Sequence, residues 1–316
     1  MAARIVAFGT MLAFALGSGA AAERFAAEDI RFENVTGAVE IVSNSGDEIE
    51  VTIRQGKTYR QVQLALKDGV VVVTGEKWKE EDVHDCCNDR ITRTLNPRQG
   101  RTATTGKPVD EDFFTQYPTV IVAMPRKGDA TFIDARMKLK MDSLDGALNL
   151  DACYVYGEAG DMGEAVIGII DGSRLVVGDI GAGLEIDVSG DADIRTGSAS
   201  IVDVDIAGTG DVVLGEIDGM LDVSIAGSGS VRGSRLDGPL TARIAGSGVV
   251  AIQGGRAEKL RAFIDGSGAV FFDGAAVRPE LKLYGSSEVH MASVSGRITR
   301  HGGGEVYVDR KLVPKE

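Results

Sequence analysis

The feature that most constrains the fold of this chain is a repeat of about 19 residues in its C-terminal half, since a fixed short period is typical of stacked-repeat folds. A glycine flanked by alternating apolar residues recurs, as in Ile206-Ala-Gly208-Thr-Gly and Ile225-Ala-Gly227-Ser-Gly. The first glycine of each unit, called the marker glycine below, falls at positions 190, 208, 227, 246, 266, 285 and 302.

The alternation around the marker glycine predicts which side chains face inward. Apolar residues recur two, four and six positions before it and four positions after it. The column after it contains Ile194, Val212, Val231, Val250, Val270, Val289 and Val306, and the column two before it contains Val188, Ile206, Ile225, Ile244, Ile264 and Leu283. The column four before it contains Ile186, Val204, Val223, Ala242, Ala262, Leu281 and Ile298. A period of two predicts strands with one buried face.

The repeat is too short for a strand–helix–strand unit, which takes about 30 residues. It fits one coil of an all-β, single-stranded parallel β-helix, or β-solenoid, in which coils stack about 4.8 Å apart. A marker glycine suits the corner of each coil, because glycine adopts positive φ readily and has no Cβ to collide with the next coil. Hydroxyl residues follow it, and we expect them to bond along this edge: Thr209, Ser228, Ser247, Ser267 and Ser286.

The rest of the chain divides by composition. We expect a signal peptide at 1–22, an N-terminal β region at 23–75, and an irregular insertion with paired cysteines at 76–117. Degenerate β coils then span 118–183, regular repeats span 184–308, and a charged tail spans 309–316. Within the N-terminal region, Asp68-Gly69 between two apolar runs predicts a hairpin turn.

The N-terminus predicts export. Arg4 precedes an apolar stretch, Ile5–Leu16, and small residues lead to a cleavage position after Ala22. A membrane anchor is the alternative, but it needs about 20 apolar residues. We therefore expect no transmembrane segment in the mature chain, and a location in the periplasm or at the cell surface.

The charge and the cysteines narrow the function. With 47 Asp and Glu against 34 Lys and Arg, the chain is acidic, which disfavours nucleic acid as a partner. An exported protein can form disulfides, and we expect one between Cys153 and either Cys86 or Cys87. A vicinal Cys86–Cys87 bridge is the alternative. The spacing in His84-Asp85-Cys86-Cys87 matches no zinc pattern, and we predict no cofactor beyond calcium.

Two outward-facing columns are candidate sites. Acidic residues five and three positions before the marker glycine would repel one another, and calcium would relieve that repulsion: Glu185, Asp187, Asp203, Asp205 and Asp222. The alternative is a solvated acidic face. Five positions after the marker glycine, Phe271, His290 and Tyr307 predict a column of stacked rings. Such a column is either a stabilising ladder or a docking strip for a partner.

The Ile-x-Gly-Ser-Gly-x-Val units resemble the putative auto-transporter adhesin family with the head GIN domain, over about 184–308. Asn34-Val-Thr-Gly37 and Val120-Ile-Val-Ala-Met-Pro125 resemble related adhesin domains of bacterial envelopes. The resemblance implies a right-handed β-helix, no enzymatic activity and no catalytic residues. The short charged C-terminus departs from autotransporters, because no membrane barrel follows.

Two classes of function follow. The first is an exported, non-enzymatic, adhesin-like interaction or structural module that binds an envelope protein or glycan; a regulatory role through a partner protein belongs with it. The alternative is a carbohydrate-active β-helix enzyme, lyase-like or hydrolase-like. Such enzymes need clustered carboxylates or basic residues in a walled groove, whereas here the connections are short and the three histidines, at positions 84, 290 and 301, are scattered.

Overall fold

A computed structural model of the chain describes residues 22–56, 62–76, 117–170 and 172–314, where all regular secondary structure is β. It is a parallel β-solenoid of about nine turns with coils of about 19 residues, which confirms the predicted fold. The first strands are β1 (Ala22–Phe25), β2 (Asp29–Glu33), β3 (Thr36–Asn44), β4 (Ile49–Arg54), β5 (Gln63–Lys67), β6 (Val70–Thr74) and β7 (Thr119–Pro125).

The stacked coils are formed by the remaining strands. The first group is β8 (Ala130–Met141), β9 (Ala147–Ala159), β10 (Glu164–Ile169), β11 (Ser173–Val177), β12 (Gly183–Gly190), β13 (Ala192–Thr196), β14 (Ile201–Gly208), β15 (Asp211–Ile217) and β16 (Leu221–Gly227). The second is β17 (Ser230–Asp237), β18 (Leu240–Gly246), β19 (Val249–Ile252), β20 (Gly255–Gly266), β21 (Ala269–Gly285), β22 (Glu288–Val294), β23 (Thr299–Gly302), β24 (Glu305–Val308) and β25 (Lys311–Leu312).

Two faces of the solenoid matter for function. The long face is the parallel sheet that ends at the marker glycines, made of β12, β14, β16, β18 and the C-terminal parts of β20 and β21. The short face follows the corner and contains β13, β15, the start of β17, β19, the start of β21, β22 and β24. Each coil therefore adds one strand to each face.

The register of both faces is the one the repeat predicts. On the short face Val212 pairs with Val231, Val231 with Val250, and Val250 with Val270. All four side chains are buried. On the long face Ile206, Ile225, Ile244 and Ile264 form a second buried column. The core columns are confirmed, and they make one continuous narrow core along the solenoid.

The marker glycines from Gly190 to Gly285 stack directly on one another at the corner, and each of them has positive φ, as does Gly302. A Cβ on Gly227 would lie 2.3 Å from the carbonyl oxygen of Gly208, so the close approach excludes any side chain. The corner bonds are made by backbone amides, because the Ser228 N–H donates to Gly208 O at 2.9 Å. The corner therefore carries a ladder of backbone hydrogen bonds, and bonds between the stacked hydroxyls stay a prediction.

The N-terminal region begins the solenoid and adds antiparallel strands to it. β2 and β3 form the first coil and pair in parallel with β8, around a corner at Asn34 and Gly37. β4 pairs antiparallel with β7 and β1, and β5 pairs antiparallel with β6 through the predicted Asp68-Gly69 turn. The hairpin is confirmed, and parallel stacking is thus supplemented by antiparallel strands at this end.

The last coil differs from the predicted register. Leu281 pairs with Arg300 and Leu283 pairs with Gly302, so Ile298 does not join the column that contains Leu281. The reason is that the unit from Gly285 to Gly302 is shorter than the unit before it, which shifts the long-face strand by two positions. Ile298 still packs, half-buried, against the core.

This end of the core is closed by a polar cap. The Arg300 guanidinium donates to the carbonyl oxygens of Gly304 and Val313, the latter at 3.3 Å from Nη1. The predicted charged tail turns back at Asp309 and Arg310 and forms β25, which pairs antiparallel with β24. Because β25 occupies the edge of β24, that edge is not left open for further pairing.

Candidate functional site

The aromatic column lies on the short face of the last three coils. Phe271, His290 and Tyr307 are neighbours in the parallel register and are half-buried. The ring centroids of Phe271 and His290 are 4.7 Å apart, and those of His290 and Tyr307 are 4.4 Å apart with planes 9° from parallel. The rings stack because the coil spacing of about 4.8 Å matches the distance at which aromatic rings pack.

Two carboxylates next to this column hold its polar rings. Glu288 and Glu305 occupy outward positions two residues before His290 and Tyr307. His290 Nε2 lies 2.9 Å from Glu288 Oε2, and the Tyr307 hydroxyl donates to Glu305 Oε2. The hydrogen bond to Glu305 raises the pKa of Tyr307. We name these five residues, Phe271, His290, Tyr307, Glu288 and Glu305, the aromatic strip.

The rings of the strip cover one another. His290 is stacked on both faces, and Tyr307 pairs with Leu312 of β25. Phe271 pairs on its other side with Ala251 of β19. A ligand that stacks flat on an aromatic ring therefore finds both faces of His290 occupied. The tyrosine hydroxyl and the two carboxylates lie along the same column, where a partner can contact them together.

The acidic column lies on the long face in the predicted register. Glu185 pairs with Asp203 and then Asp222, and Asp187 pairs with Asp205. Burial raises the pKa of Asp203, and the charges of Asp205, Asp222, Glu185 and Asp187 raise it further. Among the described residues no group of three or more His, Cys, Asp or Glu side chains is arranged to hold a metal ion. Calcium binding by this column stays a prediction.

The last three coils of the long face carry mainly positive side chains, which the sequence-based prediction did not include. Arg243 forms an ion pair with Asp222, and Arg261 Nε lies 3.1 Å from Glu280 Oε2. Lys282 Nζ lies 5.2 Å from the centroid of the Phe263 ring. Extending the count of outward positions to the last coils would have revealed the change of sign.

Of the three cysteines, Cys153 lies within the described residues. Cys153 on β9 is fully buried and disulfide-bonded. The predicted partners Cys86 and Cys87 lie outside the described residues, as do His84 and all of the predicted signal peptide except Ala22. The pairing of Cys153 therefore stays a prediction. In the part of the chain that the structure describes, no helix is long and apolar enough to cross a bilayer.

Known proteins resemble this chain in structure rather than in sequence. No family model matches the chain, and no curated protein matches it. Among solved structures, it is similar to a "putative adhesin" from Parabacteroides distasonis at 13% identity and a TM-score of 0.36, covering 92% of this chain and 97% of the other.

Two further solved structures are similar over the same shares of both chains. A "putative lipid binding protein" from Parabacteroides distasonis has 11% identity and a TM-score of 0.39, and a "putative adhesin" from Parabacteroides merdae has 15% identity and a TM-score of 0.33. At these values the similarity supports no statement about what this chain binds. The resemblance to the head GIN domain family stays a prediction.

Proposed function

We propose that this chain is an exported, non-enzymatic, adhesin-like interaction module of the cell envelope, which docks a partner protein on the aromatic strip. The observation that carries the proposal is the stacked column of Phe271, His290 and Tyr307 with its two bound carboxylates. Phe, Trp and Tyr make up only 5% of the residues in the chain, and two of them, Phe271 and Tyr307, are aligned with His290 on one surface. This is a concentration of the residue class that anchors interfaces.

The geometry of the strip favours a protein over a sugar. Sugars bind aromatic side chains by lying against a ring face, and both faces of His290 are already stacked. Ring edges, a tyrosine hydroxyl and two carboxylates are instead groups that a protein surface can contact together. The carboxylates favour a partner that brings Lys or Arg side chains to this end of the solenoid.

The proposal is tested with the mature chain and the double variant Phe271→Ala, Tyr307→Ala. Both are used to capture proteins from an envelope extract of the source organism, and both are applied to a glycan and polysaccharide array with product analysis. We expect the wild-type chain to retain a defined envelope protein and the double variant to lose it. The variant should be less stable but remain folded, because it loses two cross-strand ring contacts of at most about 1 kcal/mol each, less than the about 5–15 kcal/mol by which domains are stable.

Tyr284→Ala is the matched control, because Tyr284 is an exposed aromatic residue on the long face, outside the strip. It should capture the same protein as the wild type. Equal capture by the double variant would refute docking on the strip and leave a stabilising ladder. Cleavage of a polysaccharide on the array would instead support the alternative of a carbohydrate-active enzyme.

A further inference from the structure

The outward surface of the long face is divided by charge along the solenoid axis. Its first three regular coils carry the acidic column, with five carboxylates at the positions five and three before the marker glycine: Glu185, Asp187, Asp203, Asp205 and Asp222. The next three coils carry five cations and two carboxylates at outward positions: Arg243, Lys259, Arg261, Arg278, Lys282, Asp265 and Glu280. The face thus has a negative half and a positive half of similar size.

Within the part of the chain that the structure describes, this face is accessible along its length. The charged side chains are exposed or half-buried, and among the described strands none packs across them. Apolar side chains lie at the edge of the same face near its middle, where Ile201 is 54% exposed and Met220 is 44% exposed. A flat sheet with separated charges and a central apolar edge has the composition of an interaction surface.

We propose that the long face binds the long face of a second copy of this chain, as a two-fold dimer with the two solenoids antiparallel. Two copies can be brought face to face by a two-fold axis that runs either parallel to the solenoid or parallel to the strands. An axis parallel to the solenoid places each coil opposite the same coil, so that carboxylates meet carboxylates. An axis parallel to the strands reverses the order of the coils, so that the negative half meets the positive half. Charge therefore selects the antiparallel arrangement.

The register of such a dimer follows from the sheet. The two-fold axis is placed between the coil of Asp222 and the coil of Arg243. Each outward residue then faces the residue of the second copy that stands at the same distance from its marker glycine, in the coil equally far from the axis on the other side. Asp203 then faces Arg261 of the second copy, and Asp187 faces Lys282. Met220 faces Pro239 next to the axis, which covers exposed apolar surface. One like-charged pair results, Glu185 with Glu280, and Glu280 is already bound to Arg261.

The size of the face indicates a weak dimer. Six coils at about 4.8 Å and strands of seven or eight residues at about 3.3 Å give roughly 650–750 Å² on each copy. Stable interfaces bury about 800 Å² on each partner. The ion pairs lie in an exposed contact, so salt screens them. Association should therefore need high protein concentration and should fall as salt is added.

The test is sedimentation velocity of the mature chain at high concentration, in low and high salt. We expect a dimer at low salt that dissociates at high salt. Asp203→Arg brings a new guanidinium opposite Arg261 of the second copy, and Arg261→Asp brings a new carboxylate opposite Asp203. Each variant alone should therefore be monomeric. An equal mixture of the two variants should dimerise again, because both cross-copy pairs then carry opposite charges.

The controls separate this pairing from folding and from the aromatic strip. Both single variants should melt as monomers near the wild-type temperature, because the changed side chains lie at the surface. Ser234→Arg adds a charge at an exposed position outside the long face and should leave the dimer intact, as should the strip variant Phe271→Ala, Tyr307→Ala. A wild type that stays monomeric at low salt, or a mixture of variants that fails to dimerise, would overturn the proposal.

Discussion

Asp203 on the long face has surroundings that disfavour its charge. It lies between Glu185 and Asp222 in the same column, and its pKa is raised by burial and by four neighbouring carboxylates. A raised pKa means that the folded protein holds the proton more tightly than the unfolded chain. Stability is therefore lost as the pH rises from the ordinary aspartate value through the raised pKa, and the loss is complete above it.

The neutral variant Asp203→Asn should consequently be more stable than the wild type at pH 7. Because the side chain is exposed, we expect a gain of only about 0.5 kcal/mol, which is typical of relieving like charges across strands. The gain should shrink in high salt and vanish below about pH 3.8, where aspartate is protonated in both states. Thermal melts of dilute protein across this pH range measure it.

Glu280→Gln is the control for this substitution, because Glu280 occupies the same column but accepts a hydrogen bond from Arg261 at 3.1 Å. Removing its charge should give no gain at pH 7. If Asp203→Asn melts no higher than the wild type at neutral pH, mutual repulsion within the acidic column is not destabilising the fold.

At the scale of the element, each strand is stabilised mainly by the identical positions above and below it. Val231 is buried and pairs with Val212 on the coil before it and with Val250 on the coil after it. Val231→Asp would place an unpaired carboxylate in this column, which costs several kcal/mol. Because domains of this kind are stable by about 5–15 kcal/mol, we expect a large drop in melting temperature.

Ser234→Asp provides the matched comparison, since Ser234 is exposed on the same strand β17. It adds the same carboxylate to the same coil and should melt near the wild-type temperature. Similar melting of Val231→Asp and wild type would contradict the register of the short face. Circular dichroism melts of both variants are sufficient for this comparison.

At the scale of the whole molecule, the proposed role requires the chain to leave the cytoplasm. The apolar stretch Ile5–Leu16 and the small residues before Ala22 predict that export removes the segment from Met1 to Ala22. We expect the mature protein to begin at Glu23 and to occur in the periplasmic or surface fraction. N-terminal sequencing of protein from fractionated cells tests this, and an intact Met1 in the cytoplasm would refute it.

The regular coils were predictable because every coil repeats the same physical requirement. Three features recur from Gly190 to Gly285: a glycine at the corner, a branched aliphatic residue two before and four after it, and alternating polar positions. The register therefore follows from counting. The prediction for the last coil was wrong at Ile298. The unit from Gly285 to Gly302 is shorter than the unit before it, and the sequence does not indicate which face loses the missing residues. Only the pairing of Leu281 with Arg300 shows that the long face takes the shift.

The sequence by itself determined the fold class, the core columns and the alignment of Phe271, His290 and Tyr307, because in a parallel stack equal offsets become direct neighbours. Tertiary structure alone decided what those neighbours do. It showed Glu288 and Glu305 bound to the rings, the antiparallel strands at both ends, and the ion pairs that divide the long face. Side-chain rotamers and chain reversals depend on contacts between coils, and these do not repeat with the sequence period.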